Sequence, residues 1–394
     1  MAILLALLPS IALMPSADVL KLGMTVERPV AVGDDPSWTV EAKDGDFIDV
    51  VVDQKSFDLV ATLTDPAGKV LATFDTANGD LGPERIRFIA TTTAPYRIDL
   101  RSAQPEIEPG RYSIRLAAQR PATPVDRQTM AAIAAQMQGH RLRLDPATRA
   151  SSIAQYERAM ALWREAGDRS GEADTLRAMG FAYVRMKDDD HAYETFTRTR
   201  AMWRDLKDVR SEAFVMLILG TIHTRRGETL EARARATESL PLWRSAGDAV
   251  EEAFTLGEIG TTHAKLKERA ETERWYGEAV QVARRTGRHT LEAAINDNFA
   301  RAYVQLNDPA AAIATHERAR ALWAQAGHRR GQASSLRSMG ALHEAAGDKA
   351  RAIDAFIRSA DFWRAAGMPQ EEAADLSRVA KLRGGGSRAC FDCV

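Results

Sequence analysis

Cysteine is almost missing from this chain. Its 394 residues hold two, Cys390 and Cys393, both in the last five positions. The body of the protein therefore has no disulfide framework and no cysteine-built metal site, and cysteine usage leaves the compartment open. An excess of charge is also missing, with 53 Lys+Arg against 54 Asp+Glu. That balance argues against a general nucleic-acid or membrane-surface binder, because either needs a net basic field. Beyond the N-terminus no apolar run is long enough to predict a transmembrane segment. Proline thins out after Pro124, where only Pro146, Pro241, Pro309 and Pro369 follow. The chain has no Walker phosphate loop, no G-x-S-x-G elbow and no H-E-x-x-H pair. No enzyme chemistry and no cofactor are expected from it.

The first stretch, Met1 to Met14, is apolar and of signal-peptide length, but too short and proline-broken to span a bilayer. Residues 1–17 read as a signal peptide, although no Lys or Arg precedes the run. Export to the periplasm or the exterior is expected; the alternative is a cytoplasmic protein whose first residues form a buried strand. From 20 to 118 the chain reads as short strands, among them 47–53, 58–64, 70–74, 85–89, 96–100 and 112–116. Most alternate apolar with polar residues, and turn signals such as Asp65-Pro66-Ala67-Gly68 separate them. About eight strands over this length predict an antiparallel β-sandwich. Residues 119–126, with Pro121 and Pro124, read as a linker.

From 127 to 382 the composition turns to Ala, Arg, Glu and Leu, and the chain repeats itself every 40 residues. Trp163, Trp203, Trp243, Trp323 and Trp363 form one column, Gly180, Gly220, Gly260 and Gly340 another, and Ala173, Ala213, Ala253, Ala293, Ala333 and Ala373 a third. Such a period predicts a stacked helical repeat, with two helices per unit near 171–186 and 189–206 in the first. The column Gly167, Lys207, Gly247, Gly287, Gly327 and Gly367 fits a left-handed residue past a helix end. The column Asp188, Glu228, Glu268, Asp308 and Asp348 fits a helix start. The glycines of the Gly180 column would let paired helices approach, and the tryptophans would cover junctions between units.

The Leu176, Gly180, Tyr183, Ala192, Phe196 and Thr199 pattern, with its echo at Leu336, Gly340, His343, Ala352, Phe356 and Ser359, resembles the tetratricopeptide repeat in a long, 40-residue form. That resemblance implies an α-solenoid of about five to six helix pairs over 127–382 that binds a protein segment. The earlier region resembles the pre-peptidase type of β-sandwich through Phe57-Asp58-Leu59-Val60, the Asp65–Gly68 turn and Gly110-Arg111-Tyr112. The order of parts is similar to bacterial proteins that end in a CHAT caspase-like peptidase. The resemblance breaks at Val394, short of a peptidase domain of roughly 150 residues or more. The chain is then either the regulatory front half of such an enzyme or a form without it.

His223, His263 and His343 share the column of Tyr183 and Tyr303. At one repeat apart they are too distant to hold one metal ion, and packing explains them better. His191, His289, His316 and His328 read as surface or turn residues. The aspartates at 58, 65, 75 and 80 read as turn chemistry rather than a calcium site. Cys390-x-x-Cys393 follows a glycine run, so 383–394 reads as a flexible tail. The functional expectation falls on the first helix of each unit, on the face beside the core seam. Arg177, Phe181 and Arg185 stand there, then Arg225, Lys265, Arg301 and Arg337, flanked by Phe214 and Phe254. A basic rung Arg185–Arg225–Lys265 next to aromatic rings suits an extended or helical peptide with acidic groups. The last helix, 371–382, leaves Leu376 and Val379 as an apolar seam through which self-association is expected.

Overall fold

A computed structural model describes residues 17–384 apart from 32, 56–58, 75–80 and 103–109. The signal-peptide reading of Met1–Met14 and the Cys390–Cys393 tail lie outside the described residues. The chain divides into two units, 1–130 and 131–394.

In the first unit the described strands are β1 (Asp18–Val19), β2 (Thr25–Val30), β3 (Ser37–Ala42), β4 (Asp46–Lys55), β5 (Leu59–Thr64), β6 (Val70–Phe74), β7 (Leu81–Ile89), β8 (Ala94–Ser102) and β9 (Gly110–Pro121). They form one sheet in the order β1-β3-β8-β5-β6 and another in the order β2-β9-β4-β7. Alternate residues of both sheets meet in a single core. Ile48, Val50, Val52, Ile114 and Leu116 come from one sheet; Val40, Ala61, Leu63, Ile98 and Leu100 come from the other. This is the period-two pattern turned inward. The buried Trp38 Nε1 donates across the two sheets to Tyr112 Oη at 3.1 Å. Strand pairing is antiparallel except at the short β1, where Asp18 lies opposite Trp38 of β3 in parallel. Asp65 is a turn residue, its carboxylate accepting from the amides of Ala67 and Lys69.

The expected linker nearly disappears. Arg120 and Pro121 still pair with Phe47 and Asp46 in β9, and Pro124 opens α1 (Pro124–Leu144), which leaves Ala122 and Thr123. Both prolines sit where a strand end or a first helical turn needs no amide donor. Thr123 starts α1 with a reciprocal cap. Asp126 Oδ2 accepts from Thr123 N at 2.8 Å, and Asp126 N donates to Thr123 Oγ1 at 3.3 Å. The Arg120 guanidinium closes on Asp126, and with the Thr123 donors it holds that carboxyl well below the usual carboxylate range.

In the second unit α2 (Ser151–Ala166) follows α1, and from α3 onward the helices start every 20 residues. The helices are α3 (Arg169–Met186), α4 (Asp189–Asp205), α5 (Val209–Arg225), α6 (Thr229–Ala246), α7 (Ala249–Lys265), α8 (Arg269–Arg285), α9 (His289–Gln305), α10 (Pro309–Gln325), α11 (Arg329–Ala345), α12 (Lys349–Ala365) and α13 (Pro369–Leu382). The residue two before each start is left-handed. Besides the glycines at 167, 227, 247, 287, 327, 347 and 367, this holds for Lys187, Lys207, Lys267 and Asn307, with φ between 59° and 78° throughout. Where the next residue is aspartate, it caps the helix. Asp168, Asp188, Asp208, Asp248, Asp308 and Asp348 each accept from the amide three residues on. Glu228 and Glu268 do not cap. Their carboxylates instead bind the imidazoles of His223, at 2.6 Å, and His263, so the acidic column divides by side-chain length.

Two columns hold the pairs together. Trp163, Trp203, Trp243 and Trp363 are buried, as expected of junction residues. A Cβ at Gly180 or Gly260 would meet the Phe196 or Tyr276 ring at 2.8 or 2.7 Å. The partner column holds Ala236 opposite Gly220 and His316 in the pair that contains Ala300. A Cβ fits wherever the partner is not a large ring: Ala300 itself is fully buried, and at Gly220 the nearest atoms stand 3.4 Å from such a Cβ.

Across junctions a third device recurs. Arg164 binds Glu172, Arg204 binds Glu212 at 2.8 Å, Arg244 binds Glu252 at 2.8 Å, Arg284 binds Glu292 at 2.7 Å and Arg364 binds Glu372 at 2.7 Å. Each pair links the end of one helix to the first turns of the next. The remaining junction has Ala324 and Gln332 at those positions.

Candidate functional site

The nine candidate residues on the first helices meet different fates. Phe181 packs edge-on against Phe196, with ring centroids 5.3 Å apart. Arg177 pairs with Asp174 at 3.0 Å and lies over the Phe214 ring at 5.8 Å. Arg225 reaches back to Asp189 of α4 at 2.5 Å, so the Arg185–Arg225–Lys265 rung is interrupted at its centre. Arg337 belongs to the core stitching. Its Nε donates to Asp375 of α13 at 2.6 Å, its Nη2 to the Glu371 carbonyl at 2.8 Å, and its guanidinium covers Trp363. Arg185 and Lys265 are exposed and form no ion pair among the described residues. Phe254 and Arg301 are exposed as well, and these two come together.

They line a cleft of about 400 Å³ between α5, α7 and α9. Leu217 and Thr221 supply one wall. Phe254, Thr255, Gly257, Glu258 and Thr261 supply the middle, with Tyr276 behind them, and Asn298, Arg301, Ala302 and Gln305 the far wall. The cleft exists because one column loses its side chain. The position held by Arg177 in α3, Leu217 in α5, Asp297 in α9 and Arg337 in α11 is Gly257 in α7. A Cβ there would meet Tyr276 at 3.5 Å and Ile295 at 3.9 Å, which is ordinary contact, so the glycine is not demanded by packing.

The lining is mixed. Tyr276 is fully buried and stacks on Phe299 at 4.7 Å, and Phe299 stacks on Tyr303 at 4.5 Å. The Tyr276 and Thr261 hydroxyls lie 2.7 Å apart, and burial pushes the Tyr276 phenol up to about 12, so it stays neutral. Gln305 Oε1 and Thr255 Oγ1 are buried in the lining without a hydrogen-bond partner. Neutral acceptors buried this way cost about 1–3 kcal/mol each until something donates to them. No sequence period marks Tyr276 or Asn298 as site residues, whereas Gln305 continues the column of Arg185, Arg225 and Lys265 on the expected face. The signal that could have found the cleft was Gly257, the one glycine in its column.

Asp297 does not face the cleft, and His316 is not a surface residue. His316 is 2% exposed, and its Nδ1 lies 2.7 Å from Asp297 Oδ1. Trp323 Nε1 donates to Asp297 Oδ2 at 2.8 Å, and Ser335 Oγ donates to Asp297 Oδ1 at 2.9 Å. One buried carboxylate thus ties α9, α10 and α11 together near the junction that lacks the Arg–Glu pair. His223 and His263 are nearly buried and bound to Glu228 and Glu268, and among the described residues no three metal-binding side chains converge. At the C-terminal end the expected seam is smaller. Val379 is buried against Ala352 and Phe356, which leaves Leu376 as the exposed large apolar side chain of α13. No described helix is long and apolar enough to cross a membrane.

Residues 251–325 match the tetratricopeptide repeat family. No curated protein matches the sequence significantly. Among solved structures the chain is similar to aspartyl phosphate phosphatase F from Bacillus subtilis, with 13% identity over 68% of this chain and 75% of that one and a TM-score of 0.47. It is similar to BtubC (BKLC) from P. vanneervenii, with 17% identity over 69% and 98% and a TM-score of 0.39. It is also similar to pilF of Pseudomonas aeruginosa, with 15% identity over 64% and 99% and a TM-score of 0.40. The protein is thus a β-sandwich followed by a tetratricopeptide-type helical array, with the family's sequence pattern matched over α7 to α10.

Proposed function

We propose that the array is a non-enzymatic interaction scaffold that binds an extended segment of a partner protein in the cleft over Gly257. The observation that carries this reading is the missing side chain at Gly257, which opens a pocket that packing does not require. Phe254 and Leu217 offer apolar contact to one side chain of the segment. Gln305 Oε1 would accept a main-chain amide, the donor that an extended peptide supplies. Arg301 suits an acidic side chain at the α9 edge, and Glu258 on α7 disfavours a second one nearby.

Random peptides can stand in for the natural partner in a test. They are selected from a library on the intact protein and measured against Gly257→Leu. Leucine stands in the same column at Leu217, so the substitution fills the cleft with a residue the repeat already accommodates. Selected peptides should lose at least about tenfold in affinity on Gly257→Leu, and acidic ones should lose more on Arg301→Glu. A selection yielding only peptides that bind Gly257→Leu equally well would defeat the reading.

The pre-peptidase resemblance of the sandwich supports a second reading, in which the same cleft selects substrates for a caspase-like domain encoded beyond Val394. Sequencing past that codon decides it, since an in-frame domain with a His and Cys pair is required. Export rests on the Met1–Met14 run, and mass spectrometry of the mature N-terminus tests it.

A further inference from the structure

We infer that the start of the array holds a site for a doubly charged oxyanion of the phosphate class, built by Arg143 of α1, Tyr156 of α2, and Arg177 and Arg185 of α3. The ends of α1 and α3 are fastened side by side by a single guanidinium. Arg149 Nε donates to the Arg143 carbonyl at 2.9 Å, and Arg149 Nη1 donates to the Arg185 carbonyl at 3.1 Å. This brings cations together without matching acids. Arg177 pairs with Asp174 at 3.0 Å. Arg143 and Arg185 form no ion pair among the described residues, whereas arginines elsewhere in the array are mostly paired. The guanidiniums gathered here, Arg149 among them, outnumber the Asp174 carboxylate.

Two donors in the same place lack acceptors. Arg143 Nε and Tyr156 Oη are both buried without a hydrogen-bond partner, and the Tyr156 side chain is fully enclosed. The Tyr156 column takes phenylalanine at Phe196 and Phe356, so packing there does not require the hydroxyl; at Tyr276, which keeps it, the hydroxyl is paired with Thr261. Electrostatics agree with the geometry. Burial holds the Arg143 guanidinium below its usual value, the nearby Tyr156 works against this, and the Arg185 and Arg177 charges add to it. An oxyanion would accept from both orphaned donors and offset the charge, as charge-assisted bonds do. A dianion matches the excess better than a single carboxylate. Free phosphate and a phosphoryl group on a bound segment share this chemistry. The site lies on α1 to α3, away from the cleft on α5, α7 and α9, so it stands or falls independently of the proposed function.

Isothermal titration of the full chain tests it, with sodium phosphate, sodium acetate and O-phosphoserine compared against chloride at matched ionic strength. Phosphate should bind saturably at one site, and acetate at least about tenfold more weakly. Arg143→Gln should weaken phosphate at least about tenfold, and Tyr156→Phe, which keeps the ring and the fold, about three- to tenfold. Gly257→Leu should leave phosphate binding unchanged. Tighter binding of phosphate than of O-phosphoserine would support the site with the free ion as its occupant; the reverse order would support it with a phosphoryl group. The inference is overturned if phosphate does not saturate, if acetate equals it, or if Arg143→Gln and Tyr156→Phe both retain wild-type affinity.

Discussion

Glycines at 180 and 220 occupy one column yet carry unequal loads. A methyl group at 180 would enter the Phe196 ring at 2.8 Å, whereas at 220 its nearest neighbours stand at 3.4 Å. Gly180→Ala should therefore destabilise the array by about 1–3 kcal/mol through overpacking. Gly220→Ala should be neutral or stabilise by up to about 1 kcal/mol through helix propensity. Urea unfolding of the two variants compares them directly. His140 gives a pH dependence at the same scale. Burial, and after it the Arg143 and Arg177 charges, push its pKa from 6.5 down to about 4. The unfolded chain takes up the proton first. The contribution of neutral His140 is therefore complete above pH 6.5 and is lost as the pH falls towards about 4. Proton NMR of the His140 ring should show a midpoint near the lower value, and His140→Phe should flatten that part of the stability profile.

Helices that begin every 20 residues can hide a weak member, and α6 has one. Pro241 stands inside α6, in the column that is Ala161, Ala201 and Ala321 in other units. Its ring removes one helical hydrogen bond and crowds the preceding turn. Pro241→Ala should raise stability by up to about 3 kcal/mol, read as a higher midpoint in thermal denaturation followed by circular dichroism. The period of 40 was legible at this scale, and with it the helix pairs, the left-handed column and the Trp core. The half-period of 20 was not. First and second helices share their caps and left-handed turns but not their apolar pattern, and Lys187, Lys207, Lys267 and Asn307 obscure a column expected to hold glycine. Pro121 and Pro124 mark the end of a strand and the start of a helix rather than a gap between them, a difference that two nearby prolines do not show in the sequence.

For the whole array, register predicts which deletions fold. Removing 209–248, one full pair, joins Asp208 to Ala249 and sets Glu252 where Glu212 stood opposite Arg204. This variant should stay folded and cooperative, with helicity lowered by one pair. Removing only 209–228 places second-helix residues on first-helix positions and should abolish cooperative unfolding. Circular dichroism with urea titration separates the two. Most of the architecture could be read from the sequence because repeat contacts lie one period apart. The candidate site could be read only in part: Phe254 and Arg301 lie on the expected face, but which arginines are free depends on acids contributed from almost a full period away. Asp189 occupies Arg225, and Asp375 occupies Arg337.

The Arg–Glu pairs at the junctions also bear on the order of events during synthesis. From Arg164 to Glu172, or from Arg244 to Glu252, is a span of eight residues, so the second partner follows the first almost at once as the chain is made. Closing so short a loop costs little entropy, and contacts this local form early. Each new pair of helices can lock onto the one before it while the rest of the chain is still on the ribosome, so the array need not wait for its last helix before its first pairs become stable.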